Sequence, residues 1–212
     1  MYNKYFKHEK GITGLETAII LIAFVVVAAV FAYTALSAGL FSTQKAQEAV
    51  YSGLKEAQST LELRGGLIAT AGTVGANGTI GQLTFVVSTV LGGESIDFTA
   101  PSAGALTGLC SGTKNKVVIN YFDQNQAVNN LYWTVTKMGS DDGDSVLDPG
   151  EKFQITIGGN SSTVGAGNLI NALTPDLSIN KTFSITIMTP AGAVITLERT
   201  TPPYIDTIMN LR

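Results

Sequence analysis

The distribution of apolar and polar positions divides the chain into three parts. Residues 1–11 read MYNKYFKHEKG, a short polar stretch in which Lys4, Lys7 and Lys10 outweigh Glu9. The stretch ITGLETAIILIAFVVVAAVFAYTAL follows, and between Glu16 and Lys45 no charged side chain occurs. That gap exceeds the roughly 20 apolar residues needed to cross a bilayer as a helix. Beyond Leu36, apolar or small residues recur at Ala46, Ala49, Val50, Gly53, Leu54, Ala57 and Leu61. Lys45, Gln47, Glu48, Lys55, Glu56 and Glu62 take the opposite positions. This is the spacing of an amphipathic helix. Arg64 followed by Gly65-Gly66 reads as its stop and as a hinge. A single helix from Ile12 to about Leu63 would be roughly 75 Å long.

From Leu67 onward the period shortens to two. LIATAGTV (67–74), TFVVSTV (84–90), SIDFTA (95–100), KVVINYF (116–122), LYWTVTKM (131–138), KFQITI (152–157), TFSITIMT (182–189) and AVITLER (193–199) read as strands separated by Gly-, Asn- and Pro-containing breaks. The expected class is α+β: a long N-terminal α-helix followed by an immunoglobulin-like antiparallel β-sandwich or barrel. The expected organisation is a leader at 1–11, an apolar helix at 12–64 and a β-domain at 65–212.

Composition narrows the chemistry. Charged residues make up 14% of the 212-residue chain and hydrophobic ones 45%, whereas a soluble domain carries about a quarter charged. The net charge is −3, with no basic cluster after the first ten residues, so nucleic acid is not an expected partner. Cys110 is the sole cysteine, which excludes an intrachain disulfide, and His8 is the sole histidine. Ser-His-Asp, Cys-His and His-metal catalysis therefore have no basis after residue 11. No enzyme activity is expected, and no cofactor is required.

The apolar segment admits three readings. A secretory signal peptide has a shorter apolar core and a small-residue cleavage site. A permanent membrane anchor fits the length. In the third reading, a peptidase cuts before the apolar segment and leaves it in the mature chain. Lys10-Gly11 ahead of Ile12-Thr13-Gly14-Leu15-Glu16 resembles the processing site of type IV pilins and archaeal flagellins (archaellins): a basic residue, glycine, the cut, then apolar residues with an acid at the fifth mature position. The resemblance implies cleavage between Gly11 and Ile12 by a prepilin-type aspartic peptidase, from a precursor in the cytoplasmic membrane. It implies an assembly role for Glu16, whose carboxylate in apolar surroundings needs a partner amine such as a new amino terminus.

The helix is apolar on every side in its N-terminal half, so lipid or copies of itself must surround it. Ala28, Ala29, Ala32, Ala35, Ala38 and Gly39 permit close helix approach. Glu16, Ile19, Ile20, Phe24, Val27 and Phe31 are the candidate assembly residues. The run 12–50, above all STQKAQEAV at 42–50, is similar to the N-terminal domain of archaellins, and so is 131–157 with LYWTVTK and LDPGEKFQI. The resemblance implies a structural subunit of an extracellular archaeal flagellum filament, a helical homopolymer that can include paralogues. An adhesive type IV pilus subunit and a membrane-anchored surface binding module remain as alternatives.

Two further features bear on the β-domain. GSDDGDSVLDPGE (139–151) concentrates Asp141, Asp142, Asp144, Asp148 and Glu151. It could hold Ca²⁺ or Mg²⁺, with Asp142, Asp144 and Glu151 as candidate ligands, or be a solvated turn. Sequons for N-glycosylation occur at Asn77, Asn160 and Asn180.

Overall fold

The computed structural model describes residues 9–90, 93–103, 107–112, 115–158 and 168–211, with side chains from Gly14 onward except that of Ala103. It falls into two units that divide after Ser52.

The first unit lies in the helix α1, described over Glu9–Gln58. Its runs of Val and Ile lose rotamer freedom in a helix. In apolar surroundings, however, the helix is the one arrangement that satisfies every backbone amide within the segment. Two hydroxyls bond back to the helix in the same way: Thr34 Oγ1 donates to the Phe31 carbonyl at 3.0 Å and Thr43 Oγ1 to Leu40 at 2.9 Å. Where the sequence turns amphipathic, Lys45 pairs with Glu48 at 2.6 Å.

The helix ends earlier than the sequence pattern indicated. Helical geometry stops at Gln58, and Ser59 closes the last turn through its amide to Lys55 O (3.0 Å) and its hydroxyl to Glu56 O (2.9 Å). Leu61–Leu63 is a strand, β1, and not the tail of the helix. Ser59-Thr60 supplies side chains that compete with helical hydrogen bonding, and Leu61 gains burial against the β-core at 4% exposure. Gly65-Gly66 is therefore no helix stop. It is a bulge between β1 and β2 (Leu67–Thr73): Leu63 pairs with Val87, Arg64 N bonds Val86 O, and pairing resumes at Ile68 with Thr84. Gly65 has φ +99°, open to glycine at no steric cost.

The remaining strands are β3 (Thr79–Thr89), β4 (Ile96–Asp97), β5 (Ser102–Ala103), β6 (Cys110–Ser111), β7 (Val118–Asp123), β8 (Ala127–Val128), β9 (Trp133–Met138), β10 (Val146–Leu147), β11 (Lys152–Ile157), β12 (Thr182–Met188), β13 (Val194–Thr200) and β14 (Ile208–Leu211). One short helix, α2 (Leu169–Ala172), is capped by Asn168, whose Oδ1 accepts from Ile170 N at 2.9 Å. All pairings are antiparallel. One sheet runs β14-β2-β3-β11-β9, with β1 beside β3. A second runs β13-β12-β7-β8. Two small ribbons, β10-β4 and β5-β6, complete the set.

Alternation in the sequence determines the buried faces. Ala69, Leu83, Ile157 and Trp133 form one transverse row of the larger sheet, since each opposes the next across a strand pair. Ile119, Ile187 and Ile195 form a row of the smaller sheet, and Tyr121, Ile185 and Leu197 form the next. Both faces contribute to a single contiguous core. Phe98, brought in beside β4, sets its edge against Trp133 (5.9 Å) and Phe153 (6.0 Å), while Tyr121 stacks on Phe183 at 5.9 Å. Two antiparallel sheets sharing one core make a β-sandwich.

Candidate assembly surface

Glu16, Ile19, Ile20, Phe24, Val27 and Phe31 are all exposed on α1. Steps of four, three and four residues carry Ile20 to Phe24, Val27 and Phe31, so these side chains line one stripe. Phe24 is 75% and Phe31 71% exposed. The exposure is not confined to that stripe. Ile19, Ile20, Leu21 and Ile22 are consecutive and all exposed, as are Val25, Val26 and Val27. Mean hydropathy reaches 2.8 in the most apolar window of the helix, and none of that window is buried within the chain. An apolar surface this continuous is stable only against lipid or other protein.

The candidate assembly residues end at Phe31, whereas the exposed apolar surface runs farther. Val30, Tyr33, Leu36, Leu40, Phe41, Val50, Tyr51 and Leu54 extend it. The continuing 3/4 spacing to Leu54 was the signal for them. Gly11 and Ile12 lie in the first turn of the described helix, but their side chains fall outside the description.

In the acidic loop, Asp141, Asp142 and Glu151 bring carboxylate oxygens within 4.8 Å of one another. Asp144 stands apart from that group, its Oδ1 accepting from Val146 N at 2.7 Å. The others also serve the loop itself. Asp141 accepts from Gly143 N (2.8 Å) and faces Lys137 Nζ (3.5 Å), and Asp142 accepts from Asp144 N (3.1 Å). Glu151 accepts from the amides of Asp142 and Asp148. The carboxylates thus act as turn-forming acceptors in place of backbone carbonyls.

Of the sequon asparagines, Asn160 lies outside the described residues. Asn77 and Asn180 are exposed and sit in turns. Asn77 occupies the β2–β3 turn at the start of β3, while β1 pairs with the far end of the same strand at Thr89. The eleven residues of β3 separate these ends by roughly 30 Å. A bridge between Thr79 and Ser178 brings the Asn180 turn to the Asn77 end. Both asparagines therefore lie at the pole of the β-domain opposite the one where α1 ends and β1 begins.

Cys110 is half-buried, its thiol 3.1 Å from the Leu131 carbonyl, and burial pushes its pKa up to about 11. A thiol held protonated in this way is a poor nucleophile.

A long, exposed apolar helix and an antiparallel β-sandwich define the class: a subunit that must cover its helix with lipid or other protein. The archaeal-type flagellin family matches residues 11–199, and the chain belongs to that family. It is 36% identical over 213 residues to probable flagellin 1 of Archaeoglobus fulgidus, covering 98% of both chains. Among solved structures it resembles the archaeal flagellum of Methanospirillum hungatei strain JF1, with a TM-score of 0.60, 30% identity, and coverage of 93% of this chain and 98% of the other. Flagellin FlaB1 from Methanocaldococcus jannaschii shares the fold, with a TM-score of 0.50 at 13% identity over 71% of this chain and 95% of that one. The chain is a structural subunit of an archaeal flagellum, the filament of a swimming appendage on the cell surface.

Proposed function

We propose that the chain is made as a membrane precursor, is cut between Gly11 and Ile12 by a prepilin-type aspartic peptidase, and polymerises with identical copies through α1. The observation that carries this reading is the apolar surface from Leu15 to Phe41, exposed on every side of the helix. Lipid shelters it first and neighbouring helices afterwards. The exchange costs little because both surroundings are apolar. The Glu16 carboxylate then meets the amino terminus that cleavage creates on a neighbouring subunit, which neutralises a charge that apolar packing would otherwise penalise. The role is mechanical, with no catalytic step and no required cofactor. Asn77 and Asn180, at the end of the β-domain opposite β1, carry N-linked glycans that face the medium.

Filaments sheared from cells test this. Electron microscopy should show a helical polymer, and N-terminal sequencing of its subunit should begin at Ile12. Glycopeptide mass spectrometry should find added hexose-type mass on Asn77 and Asn180. A subunit that retains residues 1–11, or a detergent-free soluble monomer of the full chain, would contradict the assembly reading.

A further inference from the structure

The outer face of the four-stranded sheet carries a feature that filament assembly through α1 does not use. Ser184 opposes Glu198 on one side and Phe122 on the other, so the three form one transverse row. Their strand neighbours Leu197, Ile185, Tyr121 and Phe183 point into the core. The row is therefore on the solvent side, with a small residue between two large ones. Adjacent strands lie about 4.8 Å apart, which sets the Glu198 and Phe122 walls about 10 Å from each other. The result is an open trough of about 380 Å³ with Ser184 in its floor. A second depression of about 100 Å³ counts Asn180 in its lining and shares Asp123, Gln124 and Thr182 with the first. The two make one path from the sequon asparagine to the Phe122 ring.

The lining has the chemistry that sugars require. Phe122, 38% exposed, offers an aromatic surface for the C–H face of a pyranose. Glu198 offers carboxylate acceptors for paired hydroxyls, and charge-assisted bonds of this kind are the strong ones. Ser184 and Gln124 can both donate and accept. Asp123 is a wall and not a ligand. Its two oxygens already accept from Asn125 N (2.6 Å), Gln126 N (2.9 Å), Gln126 Nε2 (3.2 Å) and the Tyr121 hydroxyl (2.8 Å).

We propose that this trough seats the inner sugars of a glycan carried by Asn180. The proposal rests on the glycosylation of Asn180 inferred above. Ser184 lies four residues beyond Asn180, about 13 Å along an extended strand, a span that a few linked sugars cover. Because the glycan is tethered, its effective concentration at the trough is in the millimolar range, and a weak site suffices to hold it. A seated glycan would also cover Phe122.

Glycosylated filaments from cells expressing the wild type, Phe122→Ala and Ser184→Leu decide the matter by electron cryomicroscopy, with glycopeptide masses measured on the same samples. The expected result is density for two or more sugars against Phe122 and Ser184 in the wild type. In each variant that density should shorten to the first linked sugar while the glycopeptide mass is unchanged. Either variant alone suffices should the other fail to assemble. A full-mass glycan on Asn180 with the trough empty, or filled by a neighbouring subunit, overturns the seating and leaves the glycosylation standing. An unmodified Asn180 overturns both.

Discussion

At the scale of single residues, the β-domain depends on carboxylates held by hydrogen bonds at strand ends. Burial raises the Asp123 pKa, but the bonds from Asn125, Tyr121 and Gln126 outweigh it and hold the carboxyl below its ordinary range. The Lys116 ammonium at 2.8 Å, with help from Thr99, does the same for Asp97 against a smaller burial effect. A carboxylate whose folded pKa is depressed adds stability above its unfolded pKa and loses it as pH falls through the folded one. The stability that these two carboxyls contribute should therefore be flat from neutral pH down to about pH 4 and be lost below it. Asp123→Asn should melt lower at pH 7 and show a shallower acid decline. Trp133 is the only tryptophan in the chain and is fully buried, so its fluorescence reports unfolding of the β-domain directly. The reverse case is Tyr121: burial and then the neighbouring Asp123 push its phenol well above the ordinary range, so it remains a hydrogen-bond donor throughout.

At the scale of elements, the junction between α1 and β1 makes a sharp prediction. Leu54 and Leu61 occupy equivalent positions on the helical pattern, yet Leu54 is 51% exposed on α1 and Leu61 is buried in the sandwich. Leu61→Ala should cost the β-domain about 2–5 kcal/mol. Leu54→Ala should leave it within about 0.5 kcal/mol. Denaturant titrations of the detergent-solubilised full chain, read by Trp133 fluorescence, distinguish the two. The same junction shows how far the sequence could be read. A strand such as Lys152–Ile157 is legible because alternation, β-branching and flanking turns all agree. Residues 59–63 satisfied the helical period as well as the strand period, and only the docking of Leu61 onto the edge of β3 decides between them. Ile208–Leu211 is not legible in the sequence, because four residues after Pro202-Pro203 carry too little periodicity. Among the carboxylates of 139–151, spacing in sequence suggested Asp144 beside Asp142 and Glu151, whereas the fold gathers Asp141 and turns Asp144 toward Val146 N. The trough row of Glu198, Ser184 and Phe122 is invisible in the sequence, since its members come from three strands and meet only through register.

At the scale of the whole molecule, the residues that form the β-core and the exposed apolar residues of α1 are separate sets. The sandwich buries its core without help from the apolar positions of residues 14–41, which are exposed throughout. Phe24→Asp combined with Phe31→Asp should therefore abolish filaments while leaving the Trp133 unfolding transition unchanged. Negative-stain microscopy of cell supernatants and detergent extracts reads the first outcome, and fluorescence of the detergent-solubilised chain reads the second. A fall in the unfolding midpoint that matched the loss of filaments would show that the sandwich needs the helix.

The uninterrupted greasy surface of α1 also dictates where a growing fibre can receive new material. A monomer bearing it aggregates in water before it reaches a distant tip, so on the proposed route from a membrane precursor each arrival would slide sideways out of the bilayer into the end nearest the cell. Older subunits are then pushed outward, and a pulse of isotopically labelled protein should be found first at the root and later progressively farther along the shaft.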